Sequence, residues 1–101
     1  MLLTVQERIV AVGLLNPEGD MFWLRAKRAL TAKVGFSADE ILEFEFKNED
    51  GMTKWNPEKE KDKDVELSDG ELALFVDALK ELERTKKLRD EHFSLYEKIV
   101  E

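Results

Sequence analysis

The chain of 101 residues contains no cysteine, only two prolines, five glycines and a single histidine, and no apolar run long enough to cross a bilayer. Without cysteine there are no disulfides, no thiolate nucleophile and no cysteine-ligated zinc or iron–sulfur centre, so stability must come from packing, as suits a reducing compartment. With one imidazole, His92, and no thiol, a common transition-metal set cannot be completed. His92 stands beside Asp90 and Glu91 in the first turn of the last predicted helix, where neighbouring side chains point different ways, and it reads as a surface residue. The glycines are scattered and belong to neither GxGxxG nor GxxxxGK[ST], so the phosphate loops of those folds are missing. The opening MLLTVQERIV has no basic leader and places Glu7 and Arg8 inside the apolar run, so it reads as neither signal peptide nor membrane span, and a cytoplasmic location is expected.

Acid is plentiful. Twenty-three acidic against sixteen basic residues give a net charge of −7, which argues against affinity for duplex nucleic acid or for an anionic membrane surface. The charge is unevenly spread. Residues 21–34 hold Arg25, Lys27, Arg28 and Lys33 with no acid, whereas residues 35–101 carry nine more acids than bases. Between 58 and 64 acids alternate with lysines, which leaves no face to bury and lacks the glycine and spacing of an EF-hand, so a solvated, mobile loop is expected over 57–64.

Three capping boxes punctuate the chain. Thr4 with Glu7, Ser37 with Glu40 and Ser68 with Glu71 each put a hydroxyl at a helix start and a carboxylate three residues on. The third opens the clearest helix, over 68–85, with Leu72, Phe75, Val76, Leu79 and Leu82 on one stripe. The first opens a largely apolar helix that Asn16-Pro17 ends. Asp20 caps a second helix, in which Trp23, Ala26, Leu30 and Val34 share one side and Arg25, Arg28 and Ala32 the other, with Gly35 as a left-handed stop.

After a short helix to about Glu43, Phe44–Lys47 and Met52–Trp55 alternate around Asp50-Gly51, a hairpin in which Glu49 faces Met52 and Phe46 faces Trp55. Val65 and Leu67 supply a third strand. Leu88 and Phe93 then staple a last helix whose stripe is Phe93, Tyr96, Ile99 and Val100. The expected fold is one α+β domain over 1–101, ordered α-α-α-β-β-β-α-α, with a small three-stranded antiparallel sheet packed on the long amphipathic helix.

Four phrases resemble a group of small acidic proteins encoded by tailed bacteriophages and prophages. They are Leu3-Thr4-Val5-Gln6-Glu7-Arg8, Leu14-Leu15-Asn16-Pro17-Glu18-Gly19, Trp55-Asn56-Pro57, and His92-Phe93-Ser94-Leu95-Tyr96-Glu97-Lys98. The resemblance implies no activity and no site residues. From the residues themselves the candidates for partner or anion binding are Trp23, Arg25, Lys27, Arg28 and Lys33 on the basic helix, and Trp55 at the end of the hairpin: arginine can grip a carboxylate or phosphate in two places, and an aromatic ring can stack. No catalytic, metal or cofactor constellation is legible. The leading expectation is a non-enzymatic interaction protein, a phage accessory or anti-defence factor that binds a host protein. The alternatives are a sponge-like module for a nucleotide or other small anion on the basic helix, and a self-assembling structural phage component. Small size and a core close to the surface point to a homodimer.

Overall fold

A computed structural model describes residues 1–101. The order of elements is β1 (Leu2–Leu3), α1 (Val5–Leu14), α2 (Met21–Val34), α3 (Ala38–Glu43), β2 (Lys47–Glu49), β3 (Met52–Lys54), β4 (Lys63–Asp64), α4 (Asp69–Arg84), a 3-10 turn (Asp90–His92) and α5 (Phe93–Ile99). All three capping boxes are formed with both halves present, at α1, α3 and α4. Asp20 caps α2 by accepting the Trp23 backbone N–H at 2.8 Å.

The protein is α+β, but its strands form two separate antiparallel pairs, β1–β4 and β2–β3, instead of one three-stranded sheet. Every residue of β2 and β3 is exposed, so the hairpin does not lie under the long helix α4. The third strand falls at Lys63–Asp64 and not at Val65–Leu67, because the extreme N-terminus pairs with it: Leu2 faces Asp64, Leu3 faces Lys63, and the Val65 N–H donates to the Met1 carbonyl at 2.8 Å. A two-residue strand has too little alternation to be recognised in sequence, and this one takes the last residues of the charged loop into a ladder.

The first hairpin strand also starts later than the alternation of Phe44 to Lys47 indicates. Phe44 ends α3 at helical angles and is buried, and Glu45 turns the chain at φ 57°. The register is the expected one, with Glu49 opposite Met52. Asp50 and Gly51 both have positive φ, as a two-residue hairpin turn requires. Just beyond the ladder, the rings of Phe46 and Trp55 stand 6.1 Å apart.

The helix that holds the fold together is α1, which packs against α2, α4 and α5. Its buried Val10 and Ala11 join Leu3, Leu15, Leu30, Val34, Val65, Phe75 and Leu95 in the main core. In α4 the deepest residues of the apolar stripe are Phe75 and Leu79, and Leu72, Val76 and Leu82 are half-buried around them. In α5 the stripe is displaced: Leu95 is fully buried, whereas Phe93 is 68 % exposed. The 3-10 turn occupies Asp90–His92, where the first turn of the last helix is expected from the sequence, so α5 begins only at Phe93. His92 is half-buried and its Nδ1 accepts the Arg89 N–H at 2.9 Å, so it caps this turn instead of standing free on the surface.

Two charged side chains lie inside. Arg8 is completely buried and Glu7 is 2 % exposed. Arg8 reaches the C-terminal end of α2, where Nε donates to the Val34 carbonyl at 3.0 Å and a terminal nitrogen donates to the Gly35 carbonyl. Its two terminal nitrogens also donate to the two carboxylate oxygens of Glu40, at 2.7 and 3.0 Å. The Phe36 ring stacks on the guanidinium at 4.0 Å. No buried side-chain nitrogen or oxygen is left without a partner.

Gly35 ends α2, but not in the left-handed conformation that the sequence led us to expect, since its φ is −75°. Its smallness is needed for a different reason: a Cβ there would lie 2.5 Å from the Thr31 carbonyl oxygen. Gly35→Ala must push this backbone apart and disturb the carbonyl that Arg8 holds. A loss of about 2 kcal/mol is expected, read as a lower urea midpoint with unchanged slope; an unaltered midpoint would mean that the turn yields freely.

Candidate interaction surface

The basic helix α2 divides its residues between two roles. On the inner side Leu30 and Val34 are fully buried, Ala26 is half-buried, and Trp23 packs against the core from its edge. The Trp23 ring covers Gly19, where a Cβ would come within 2.2 Å of it, and Nε1 donates to the Asn16 carbonyl at 2.9 Å. Trp23 therefore fastens the α1–α2 loop, with its ring half-buried. On the outer side Phe22, Arg25, Ala29 and Ala32 follow one another at steps of three, four and three, and all four are exposed. Phe22 is 84 % exposed and Met21 62 %. Sequence reasoning missed this apolar pair, although the step from Phe22 to Arg25 was enough to place Phe22 on the cationic side.

The four cations also divide. Lys33 is bridged to Glu71, Nζ to Oε1 at 2.5 Å, which ties α2 to the start of α4. The Lys33 ammonium, with the Ser68 backbone N–H, holds the Glu71 carboxyl below its usual range. Arg25, Lys27 and Arg28 take part in no ion pair. With Met21, Leu24 and Thr31 they border a groove of about 550 Å³. All six of these residues belong to α2, so the groove has no opposing wall.

Trp55 lies elsewhere. It is half-buried against Phe46 and shares a small groove with Lys54, Pro57 and Glu60. The structure thus brings Arg25, Lys27 and Arg28 together with Met21 around one groove, sets Phe22 one helical turn before Arg25 on the exposed side, and pairs Trp23 with the α1–α2 loop, Lys33 with Glu71 and Trp55 with Phe46.

No group of three or more histidine, aspartate or glutamate side chains is gathered where it could hold a metal ion, and no helix is long and apolar enough to cross a membrane. No protein-family model, curated protein or solved structure matches the chain.

Proposed function

We propose that this is a non-enzymatic interaction protein that docks on an acidic protein surface through the outer face of α2. The observation that carries the reading is the position of Phe22, an almost fully exposed aromatic ring on the same helical face as Arg25 and Arg28, whose charges no internal carboxylate neutralises. An exposed large apolar side chain flanked by arginines has the composition of an interface anchor, where aromatics and arginine are enriched and lysine is depleted. The cations select a negative partner and speed the encounter, while burial of the ring supplies the slow dissociation. In a chain of net charge −7, such a face also defines orientation: the acidic remainder repels the same partner surface that α2 attracts. The resemblance to small acidic phage proteins makes a bacterial host protein the natural candidate, with interference in a host defence as its role.

The immobilised protein should retain a specific protein from bacterial lysate at low salt and release it as salt rises. Phe22→Ala and the pair Arg25→Glu with Arg28→Glu should each weaken that binding about 30-fold with the purified partner. These side chains are exposed, so circular dichroism should be unchanged. Equal binding by the unaltered protein and both variants would refute the assignment of this face.

A further inference from the structure

A second concavity, of about 430 Å³, opens where α1, the α2–α3 turn, α3 and the hairpin meet. Its floor is apolar: Ile9 and Val12 from α1, Phe36 from the turn, Ile41 from α3 and Phe46 from the hairpin. None of the five is fully buried, and Ile41 keeps 45 % of its surface exposed. The wall is rigid, because Phe36 meets Phe46 edge-on at 4.7 Å and is backed by the guanidinium of Arg8, which is itself fixed by the Val34 and Gly35 carbonyls and by Glu40. The volume falls in the range of small-molecule sites, and such sites combine an apolar lining with a few polar groups.

The one charged group at this rim is a cation, Lys47, with the Asn48 amide and the Thr31 and Thr53 hydroxyls beside it. Lys47 makes no ion pair, and the acid whose ionisation it favours, Glu45, is already engaged by the Asn56 amide and Lys59. The Asn48 carbonyl oxygen accepts from the Thr53 hydroxyl at 3.2 Å, which leaves the amide N–H groups of Asn48 without a partner. The rim therefore offers an ammonium and an amide donor, and not one aspartate or glutamate lines the groove, although the chain has twenty-three acids.

We infer that this groove binds a small amphiphilic carboxylate of the fatty-acid class, with its hydrocarbon body along Ile9, Val12, Phe36, Ile41 and Phe46 and its head on Lys47 and Asn48. A neutral apolar ligand would leave both donors unused, and an acidic peptide would not use the floor. The site employs none of the α2 cations and does not use Phe22, although Thr31 borders both grooves.

Decanoate and decanol, kept below their aggregation concentrations and titrated into isotope-labelled protein by NMR, test it. Decanoate should shift the amide signals of Ile9, Val12, Phe36, Ile41 and Phe46, and bind more tightly than decanol. Lys47→Glu should weaken decanoate about fivefold and leave decanol unchanged. Lys47→Arg should restore binding, and Ile41→Asp should weaken both ligands. Lys47 and Ile41 are exposed, and retained signal dispersion establishes that each variant is folded. Absence of shifts in the groove, shifts confined to α2, or decanoate binding that ignores the charge at residue 47 would each overturn the inference.

Discussion

Arg8→Met is expected to lower the unfolding free energy by about 3–5 kcal/mol, the largest effect of any single polar substitution in the chain. Methionine keeps much of the apolar stem while removing the guanidinium, so the loss is one of charge and hydrogen bonds more than of volume. Three groups lose their partner together: the Val34 and Gly35 carbonyls at the end of α2, and the half-buried Glu40 carboxylate, which keeps only the Ser37 backbone N–H. Phe36 also loses the cation it stacks on. Urea denaturation of Arg8→Met, Glu40→Met and the double variant separates these roles. Removal of both charges eliminates the unpaired carboxylate, so the double variant should be more stable than Arg8→Met alone. It should still fall short of the unaltered protein by about 1–3 kcal/mol, because the two carbonyls remain unsatisfied. A loss below about 1 kcal/mol in Arg8→Met would mean that water takes the place of the guanidinium, and that the interior at this point is not dry.

The contrast between the capping boxes and Arg8 explains what the sequence discloses and what it hides. A capping box is local: Thr4 and Glu7, Ser37 and Glu40, or Ser68 and Glu71 are three residues apart, and the geometry of a helix start dictates the spacing. All three were therefore legible, and with them the starts of α1, α3 and α4. Each of these glutamates has a second partner, and that partner is far away in the chain. Glu7 binds Lys98 of α5 at 2.7 Å, Glu40 binds Arg8 of α1, and Glu71 binds Lys33 of α2. No periodicity announces a contact between residues so distant, and Arg8 within an apolar run reads as a break in amphipathicity until the end of α2 is seen against it. The same limit governs the sheets. The Asp50-Gly51 turn fixes its hairpin from adjacent residues, whereas β1 and β4 are defined by a pairing between the two ends of a 60-residue stretch. On α2, the helical step sorted Arg25 and Arg28 outward correctly, but it could not reveal that Lys33 is consumed by Glu71 or that Trp23 folds back onto Gly19.

These doubly used glutamates make the fold sensitive to acid, and unfolding is expected as pH falls from about 4.5 toward 2. Glu40 carries the largest shift: hydrogen bonds from Arg8 outweigh the cost of burial, and with help from the Ser37 backbone N–H they lower its pKa from 4.5 to about 2. Burial pushes Glu7 upward, but the Lys98 ammonium and the Thr4 backbone N–H prevail, and its carboxyl too ends below its usual value. Glu71 is lowered chiefly by Lys33. A carboxylate whose pKa is lower in the folded than in the unfolded chain stabilises the fold fully above the unfolded value, and that stability disappears as pH drops through the folded value. For Glu40 the contribution is about 2 kcal/mol once the solvent at its exposed edge is allowed for, a substantial part of the roughly 5–15 kcal/mol that holds a small domain together. Thermal melts between pH 7 and pH 2 should show Tm nearly constant down to about pH 5 and falling steeply below it. Glu40→Gln should have a lower Tm at pH 7 and a visibly shallower acid limb, because the group that titrates is gone while the amide still satisfies part of Arg8. Since the three glutamates start α1, α3 and α4 and tie them to α5, α1 and α2, their protonation loosens three helix junctions, each below the ordinary glutamate pKa. A single cooperative acid transition is the result this linkage demands; an acid limb in Glu40→Gln as steep as in the unaltered protein would assign the titration to other carboxylates.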